Sequence, residues 1–378
     1  MRLVNCLPEI MRRGISKGSR RFFQIVSPKQ YVVAKTLQTE DSVSKTLLSP
    51  SFVSSQIAKD AEPTFSYSAQ EFGPWHESAR SELIRLLRLN SGRGIRSRSV
   101  VWRGEDSLGT YTKCLYEGSY GQIMPAYVCV PKEKRTESIM ICLQGHTDGI
   151  SVSLGVDHET ESEWTESFGG RHFGRFCVEL GITALCLEQE SLGFRKERRL
   201  AKTSPHPCHD AAMQSLILGR TLLGRRIDDL LSVISHLREC SEDSIKVGVM
   251  GNSLGGTVAL FGGACSDEVD VVIAGSCVSE FSESLMKVYH CSDLYVPDLM
   301  TAFRQGDILG LCAPRPLLVC QGVNDPIFPL KGLRKSVRLA SEIYRTASAE
   351  KNLSLRLGLQ GHRFYPEMAK SWILEKLA

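Results

Sequence analysis

Apolar and polar positions change their period along the chain and divide it into a strand-rich part and an alternating part. Between residues 75 and 89 apolar side chains recur at helical spacing, and two glycines then end the predicted helix. The period next shortens, and segments 98–104, 110–117 and 122–130 predict three consecutive strands separated by glycines. Three closely spaced strands of this kind form an antiparallel meander.

From residue 138 onward the pattern alternates between short apolar runs and helical periods. Residues 138–143 form a continuous apolar run, as expected for a strand buried on both faces. The later elements are predicted as a helix near 172–180, a strand at 182–187, a long loop at 188–210, a helix at 211–239, a strand at 245–250, a helix at 254–265, a strand at 269–274, a strand at 315–320, a helix at 331–347, a strand at 353–359 and a closing helix at 366–377. This alternation predicts an α/β domain with a mostly parallel central sheet and helices on both faces.

Ser253 lies between two glycines at the point where a short strand gives way to a helix, in the string Gly251-Asn-Ser-Leu-Gly255. A sharp reversal there forces the serine backbone into a strained conformation and crowds its neighbours, so glycines are needed on either side. Parallel sheets bind ligands beyond the carboxyl ends of their strands, and Ser253 occupies such an end. The string predicts a nucleophile elbow.

A serine nucleophile needs a base and a group that orients the base, and both occur at later strand ends. Asp325 follows the strand that ends at residue 320, and His362 follows the strand at 353–359. The order serine, aspartate, histidine is that of the α/β hydrolases. Plainer interpretations are a turn aspartate and a surface or capping histidine, and Asp293, Asp298 and Asp307 are rival acids that follow no clear strand.

Two backbone amides are predicted to stabilise the oxyanion that forms during attack on a carbonyl. The elbow supplies the amide of Leu254. The loop after strand 138–143 supplies the second, which we assign to His146, with Gly145 allowing the backbone to approach the ligand. The His146 imidazole is expected at most to face the pocket.

Other clusters of reactive side chains give weaker signals. His206, Cys208, His209 and Asp210 are possible metal ligands, but a single short cluster without a distant second pair is weak support for zinc. We therefore expect neither a metal nor a cofactor. His290, Cys291 and Asp293 are expected to shape the pocket or stabilise a loop more than to transfer protons.

Composition limits the classes of protein that the chain can belong to. With 378 residues, 42% hydrophobic content and a formal charge of +4, the chain has ample core and no nucleic-acid groove is indicated. No apolar stretch approaches the length of a membrane span, so an integral membrane protein is not expected. The 13 cysteines, without a CxxC pair, favour free thiols in a reducing compartment, hence the cytoplasm.

The N-terminal residues differ from the rest of the chain. They are basic at first, with a single acidic residue, Glu9, before residue 30, and then rich in serine. We assign residues 1–65 to a flexible or targeting extension and residues 70–378 to the catalytic domain. Targeting to an organelle or secretion are the alternatives to a cytoplasmic location.

Several strings beyond the elbow make the chain from about residue 75 resemble the α/β-hydrolase superfamily, in particular its acetyl xylan esterase and dienelactone-hydrolase-like branch. The strings are Gly219-Arg-Thr-Leu-Leu-Gly-Arg-Arg-Ile, Gly248-Val-Met-Gly-Asn-Ser-Leu-Gly-Gly, His290-Cys-Ser-Asp-Leu-Tyr-Val-Pro, Ala313-Pro-Arg-Pro-Leu-Leu-Val and Asp325-Pro-Ile-Phe-Pro. The resemblance implies Ser253 as nucleophile, His362 as general base and acid, and Asp325 as orienting carboxylate. It also implies an oxyanion loop at Gly145–His146, although Gln144 stands where these families usually have histidine.

The expected activity is hydrolysis of carboxylic esters with a short acyl group such as acetyl, through an acyl-enzyme, on a small-molecule substrate. Cleavage of peptides, thioesters or carbon–carbon bonds uses the same machinery and stays open, as does a binding protein without turnover. Segments 147–172 and 276–313, with Trp164, Phe168, Tyr289 and Tyr295, are expected to line or cover the pocket. The sequence leaves the oligomeric state open.

Overall fold

The computed structural model describes residues 49–147, 149–155, 170–203, 206–241 and 245–377. The chain forms two units, Met1–Asp60 and Ala61–Ala378. The first contributes one described helix, α1 (Pro50–Asp60). Most of the predicted extension and two aromatic residues predicted near the pocket, Trp164 and Phe168, lie outside the described residues.

Nine strands form one mixed sheet in the second unit: β1 (Ile95–Glu105), β2 (Gly109–Gly118), β3 (Ile123–Pro131), β4 (Ile139–Leu143), β5 (Thr183–Leu187), β6 (Val247–Asn252), β7 (Val271–Gly275), β8 (Leu317–Gly322) and β9 (Leu353–Gly358). Their order is β1-β2-β3-β5-β4-β6-β7-β8-β9. The first three strands pair antiparallel, as does β3 with β5, and the other pairs are parallel. The predicted meander and parallel sheet are confirmed.

Helices cover both faces of the sheet: α2 (Phe72–Leu87), α3 (Phe173–Glu179), α4 (Pro207–Ile217), α5 (Leu222–Cys240), α6 (Leu254–Cys265), α7 (Leu299–Ala302), α8 (Gln305–Gly310), α9 (Leu330–Thr346) and α10 (Pro366–Leu377). On one face, α2, α5, α6, α8 and α9 bury their apolar sides in the larger core. On the other face, α3 and α10 close a smaller core. The sheet is thus buried between two apolar layers, which is why its parallel strands are continuous apolar runs.

The single helix predicted at 211–239 is wrong, because the structure has two helices, α4 and α5, in its place. Gly219 adopts a left-handed backbone with φ 68°, which ends the first helix. Thr221 then caps α5, since its side-chain oxygen accepts a hydrogen bond of 2.9 Å from the Gly224 amide. Apolar residues continue across the break at Leu216, Ile217 and Leu218, which are exposed, and they concealed it.

The compact unit starts earlier than the predicted boundary at residue 70. The Thr64 and Phe65 amides donate to the carbonyls of Thr301 (3.0 Å) and Ala302 (2.9 Å). The Tyr67 amide donates to the Asp307 carboxylate at 2.9 Å. An extended segment that pairs with residues far along the chain has no periodic pattern of its own, so composition alone placed it in the extension.

In the ranges that the structure describes, no helix is long and apolar enough to cross a membrane.

Candidate active site

Ser253 occupies a strained turn between β6 and α6. Its backbone has φ 57° and ψ −122°, outside the regions that a non-glycine residue normally adopts. A side chain at Gly251 would overlap the Gly255 carbonyl, and one at Gly255 would overlap the Leu143 carbonyl. The predicted need for these two glycines is confirmed, because rigid backbone fills the space on both sides of the elbow.

Replacing Gly255 with alanine is expected to destabilise the protein by about 3 kcal/mol, because neither β4 nor the helix can move aside for the methyl group. Chemical denaturation of the purified variant measures the loss. Gly73→Ala in α2 is the matched control, since a methyl group there meets nothing within 4 Å. An equal effect of the two substitutions on stability would contradict the argument from packing.

Asp325 and His362 form a hydrogen-bonded pair. The His362 Nδ1 atom lies 2.8 Å from Asp325 Oδ2. The other carboxylate oxygen, Oδ1, accepts hydrogen bonds from the amides of Ile327 (2.9 Å) and Phe328 (3.1 Å). The carboxylate is buried, whereas the imidazole is 21% exposed and stacks on the Phe328 ring at 5.9 Å. The acid is therefore fixed by its own turn, and the base reaches toward solvent.

The loop that carries His362 meets the elbow at the end of β7. The Ser253 amide donates to the Gly275 carbonyl at 2.8 Å, and the Ser276 hydroxyl donates to the Arg363 carbonyl at 2.7 Å. Neighbouring residues of one turn thus hold both loops. Within the described ranges no hydrogen bond joins the Ser253 hydroxyl to His362, so the catalytic roles of all three residues stay predictions.

The loop after β4 packs directly against the elbow. A side chain at Gly145 would lie 2.8 Å from the Asn252 carbonyl oxygen and 3.2 Å from the Ser253 Cβ atom. The glycine is therefore required for contact with the elbow, not only for approach to a ligand. His146 directly follows Gly145, and Leu254 begins α6 directly after Ser253, so both predicted oxyanion donors are sequence neighbours of this contact, and their roles stay predictions.

The Gln144 side chain fastens this loop. Its Nε2 atom donates to the Ser153 hydroxyl at 2.6 Å and to the Arg171 carbonyl at 2.8 Å. The backbone carbonyl of Gln144 accepts a hydrogen bond from the Gln189 side chain. An amide side chain thus holds the loop by hydrogen bonds at the position where the related families usually have histidine.

The His146 imidazole, which is 32% exposed, bonds to a buried ion pair. Its Nε2 atom lies 3.0 Å from Asp293 Oδ2, and the same oxygen lies 2.6 Å from the Arg226 guanidinium. Burial by itself would lower the pKa of His146, but hydrogen bonds to Asp293, Cys208 and Cys291 outweigh it and raise this pKa to about 11. The Asp293 carboxylate therefore favours the protonated form of the imidazole.

The three rival acids lie in other environments. Burial by itself would raise the pKa of Asp293, but Arg226 and His146 lower it well below its ordinary value. Asp307 accepts from the Arg304 amide at 2.7 Å at the start of α8, and Asp298 is exposed. None of them bonds to His362 among the residues described, which leaves Asp325 as its partner.

His290 stabilises a loop, which is one of the two roles expected for it. Its Nε2 atom lies 2.9 Å from the Ser284 hydroxyl, which in turn donates to the Ile327 carbonyl at 2.7 Å. Because that hydroxyl donates elsewhere, His290 donates to it. The His290 ring packs on Phe328 at 5.3 Å, near the ring that His362 stacks on.

Two spaces lie near the elbow and the histidine loop. A cleft of about 480 Å³ borders His146, and its described lining is His146, Thr147, Ser191, Leu192, Gly193, Lys196, Arg198, His206, Pro207, Cys208 and Cys291. A separate cavity of about 20 Å³ is lined by residues that include Thr257, Cys277, Leu285 and Phe328. Tyr289 and Tyr295 are exposed and absent from the described lining of both spaces.

The structure does not assemble the short His206–Asp210 cluster into a set of metal ligands among the residues it describes. It brings together a different trio, His146, Cys291 and Asp293, with atoms within 4.8 Å of one another. Arg226 already neutralises the Asp293 carboxylate at 2.6 Å, and its buried positive charge would repel a cation. The trio is accordingly part of an ion-pair network.

Sequence reasoning missed the partnership of Arg226 with Asp293. Arg226 lies beside the apolar stripe of α5 and looks like a solvated charge, yet its side chain is completely buried. A second arginine at Arg225 directly before it is partly exposed, so composition does not separate the two. The signal available was a charge adjoining an apolar stripe in a string that resembles the esterase branch.

The sheet order, the strained serine after β6 and the positions of Asp325 and His362 define the class: the chain has the α/β-hydrolase fold, of the kind found in acetyl xylan esterases and related esterases.

Comparison with individual proteins supports the fold at low sequence identity. A crystal structure of a "putative acetyl xylan esterase" from Bacteroides fragilis NCTC 9343 is similar with a TM-score of 0.71 and 15% identity, covering 87% of this chain and 94% of that one. A glucuronoyl esterase from Solibacter usitatus has a TM-score of 0.54 and 12% identity, covering 84% of this chain and 97% of that one. "Putative hydrolase YtaP" of Bacillus subtilis (strain 168) is 24% identical over 243 residues, 63% of this chain and 77% of the relative. No family model matches the chain.

Proposed function

We propose that this protein is a serine hydrolase that cleaves carboxylic esters through an acyl-enzyme. One observation carries the proposal: His362 and Asp325, 2.8 Å apart, lie on a loop fastened to the turn that also holds the strained Ser253. The esterases among the similar structures agree with it, since they share this fold.

In the proposed mechanism, the Asp325 carboxylate accepts a hydrogen bond from the Nδ1–H of His362, which keeps the proton on Nδ1 and leaves the Nε2 lone pair free. Nε2 takes the proton of Ser253 as its oxygen attacks the ester carbonyl. The amides of Leu254 and His146 stabilise the resulting oxyanion. His362 then protonates the departing alcohol, and water repeats the sequence on the acyl-enzyme. No step requires a metal or a cofactor.

The small cavity favours a short acyl group. Ser253 and His362 are not in its described lining, but Thr257 lies one helical turn after Ser253 and Phe328 stacks on His362, so neighbours of the proposed nucleophile and base line the cavity. Its volume of about 20 Å³ suits a group the size of a methyl. Acetyl is therefore the acyl group that we propose.

The larger cleft beside His146 would receive the alcohol part of the ester. Its lining combines polar and apolar surface in about equal parts, and its volume of about 480 Å³ admits a group of sugar size. Because structures named as acetyl xylan and glucuronoyl esterases share the fold, acetylated carbohydrates are the first natural substrates that we would test.

Release of nitrophenol from acyl esters of increasing chain length tests the function and the acyl group together. We expect kcat/KM for acetate to exceed that for octanoate by at least about 100-fold, since added methylenes find no space. Leu285→Ala, which widens the cavity, is expected to raise the butyrate-to-acetate ratio of kcat/KM by about tenfold.

Peptide, thioester and ketone substrates of matched acyl group are the comparison for this experiment. Turnover of a peptide or a carbon–carbon substrate faster than of the acetate ester would replace the ester proposal by that alternative. Absence of turnover and of labelling by a fluorophosphonate would favour the binding protein.

Every cysteine in the described ranges is free of a disulfide, and all but two of them are buried. This supports the proposal that the protein works in a reducing compartment such as the cytoplasm.

A further inference from the structure

We propose that Asp293, held by Arg226, is a positioning residue that fixes the oxyanion loop by binding the His146 side chain. The inference rests on the proposed function, because it assigns Asp293 an effect on the amide that would stabilise the oxyanion. Asp293 touches no reacting atom and acts through His146.

Arg226 holds Asp293 in a rigid network of hydrogen bonds. Besides its ion pair with Asp293, its Nε and one terminal nitrogen donate to the Glu190 carbonyl at 3.0 and 2.7 Å. The same terminal nitrogen lies 3.4 Å from the Cys208 sulfur. One guanidinium therefore joins α5 to the loop after β5, to the start of α4 and to the turn that carries Asp293.

The His146 side chain connects this network to the elbow. Both Arg226 and His146 bond to Oδ2 of Asp293, while Oδ1 is buried without a partner among the described residues. His146 directly follows Gly145, which packs on the Ser253 Cβ atom. A shift of the His146 side chain would therefore displace the His146 backbone amide, which is the proposed oxyanion donor.

Asp293 also affects the charge of the His146 imidazole. The groups facing the His146 imidazole are Asp293 with Arg226 behind it, the thiols of Cys208 and Cys291, and the imidazoles of His290 and His206. Lys196 and Arg198 line the same cleft and are cations. Asp293 is the carboxylate in this set, and its hydrogen bond is the largest of the contributions that raise the pKa of the imidazole. With Arg226 and His146 both cationic, the cluster has a net positive charge beside the developing oxyanion, which favours its formation.

Asp293→Asn tests both the anchoring and the charge. The substitution keeps the shape but removes the anion, so the pKa of His146 is expected to fall, because burial and the nearby Arg226 charge both disfavour the protonated imidazole. The kcat for nitrophenyl acetate should fall about 10- to 100-fold at pH 8 with KM changed less than about threefold. The deficit relative to wild type should be smallest at the lowest pH at which the wild type is active, where the largest fraction of His146 is protonated, and it should grow as pH rises.

His146→Gln in the wild-type background leaves the buried Arg226–Asp293 pair intact and serves if Asp293→Asn fails to fold. It should lower kcat by a similar factor at every pH, because glutamine does not titrate. Asp293→Asn added to His146→Gln should then produce no further pH dependence. His236→Gln, which removes a histidine packed on Tyr116, is the control and should match the wild type.

Two results would overturn the inference. One is a wild-type kcat in His146→Gln. The other is a deficit in Asp293→Asn that is the same at all pH values, as for a merely structural residue. Both leave the proposed function standing, provided that wild-type enzyme hydrolyses the ester and labels with a fluorophosphonate; failure of that reference would instead reject the function.

Discussion

Ser253→Ala is expected to lower kcat for nitrophenyl acetate by roughly four to six orders of magnitude, the range observed when a serine hydrolase loses its nucleophile. No other hydroxyl occupies the elbow, because the residues on either side are Asn252 and Leu254. The fold should be intact, since the hydroxyl makes no hydrogen bond within the described part of the chain and its loss leaves no group unpaired. Steady-state kinetics and the melting temperature Tm measure the two outcomes.

Covalent labelling makes the result for Ser253 specific. The wild type should gain the mass of one fluorophosphonate adduct on the peptide that contains Ser253, and the alanine variant should gain none. Ser341→Ala is the matched control, since Ser341 lies on α9 and, in the described part of the chain, its hydroxyl donates to the Val337 carbonyl at 2.8 Å. Hydrolysis at wild-type rates by the Ser253 variant would show that another group attacks the ester.

Asp325→Asn is expected to lower kcat by about 10³- to 10⁴-fold with little change in KM. The amide oxygen can keep the hydrogen bonds from Ile327 and Phe328, which then turns the amide NH₂ toward His362. That NH₂ donates to Nδ1 and places the imidazole proton on Nε2. An imidazole in this tautomer cannot accept the proton of Ser253.

The control for Asp325 comes from one of its sequence rivals. Asp298→Asn removes an exposed carboxylate from the same half of the chain and should leave kcat unchanged. Should Asp298→Asn instead reduce kcat as much as Asp325→Asn, or should Asp325→Asn retain full activity, the assignment of the acid would have to be revised.

Local signals in the sequence were enough to predict the sheet and the elbow. Parallel strands buried on both faces are continuous apolar runs, and the glycines around Ser253 follow from backbone crowding that involves near neighbours and one adjacent strand. Asp325 and His362 were predicted because the carboxyl ends of parallel strands meet at one edge. Their spacing of 2.8 Å agrees with the predicted pairing.

Features that depend on distant contacts were not predictable. Arg226 and Asp293 lie 67 positions apart, and nothing in either local string indicates that both side chains are buried together. The bonds of Thr64 and Phe65 to residues 301 and 302 are equally distant and shifted the domain boundary. At the break between α4 and α5, exposed apolar residues continued the helical period past Gly219.

The two carboxylate oxygens of Asp325 bond to different parts of the chain, and this affects how the site forms during folding. Oδ1 is satisfied by amides two and three residues ahead, so the turn after β8 can set the acid before any later part of the chain is in place. The base arrives only when β9 pairs with β8, because His362 follows β9 along the chain. A folding intermediate that lacks this pairing would already hold the elbow and the acid, yet it would be inactive. Recovery of activity during refolding therefore reports on the docking of the C-terminal strand.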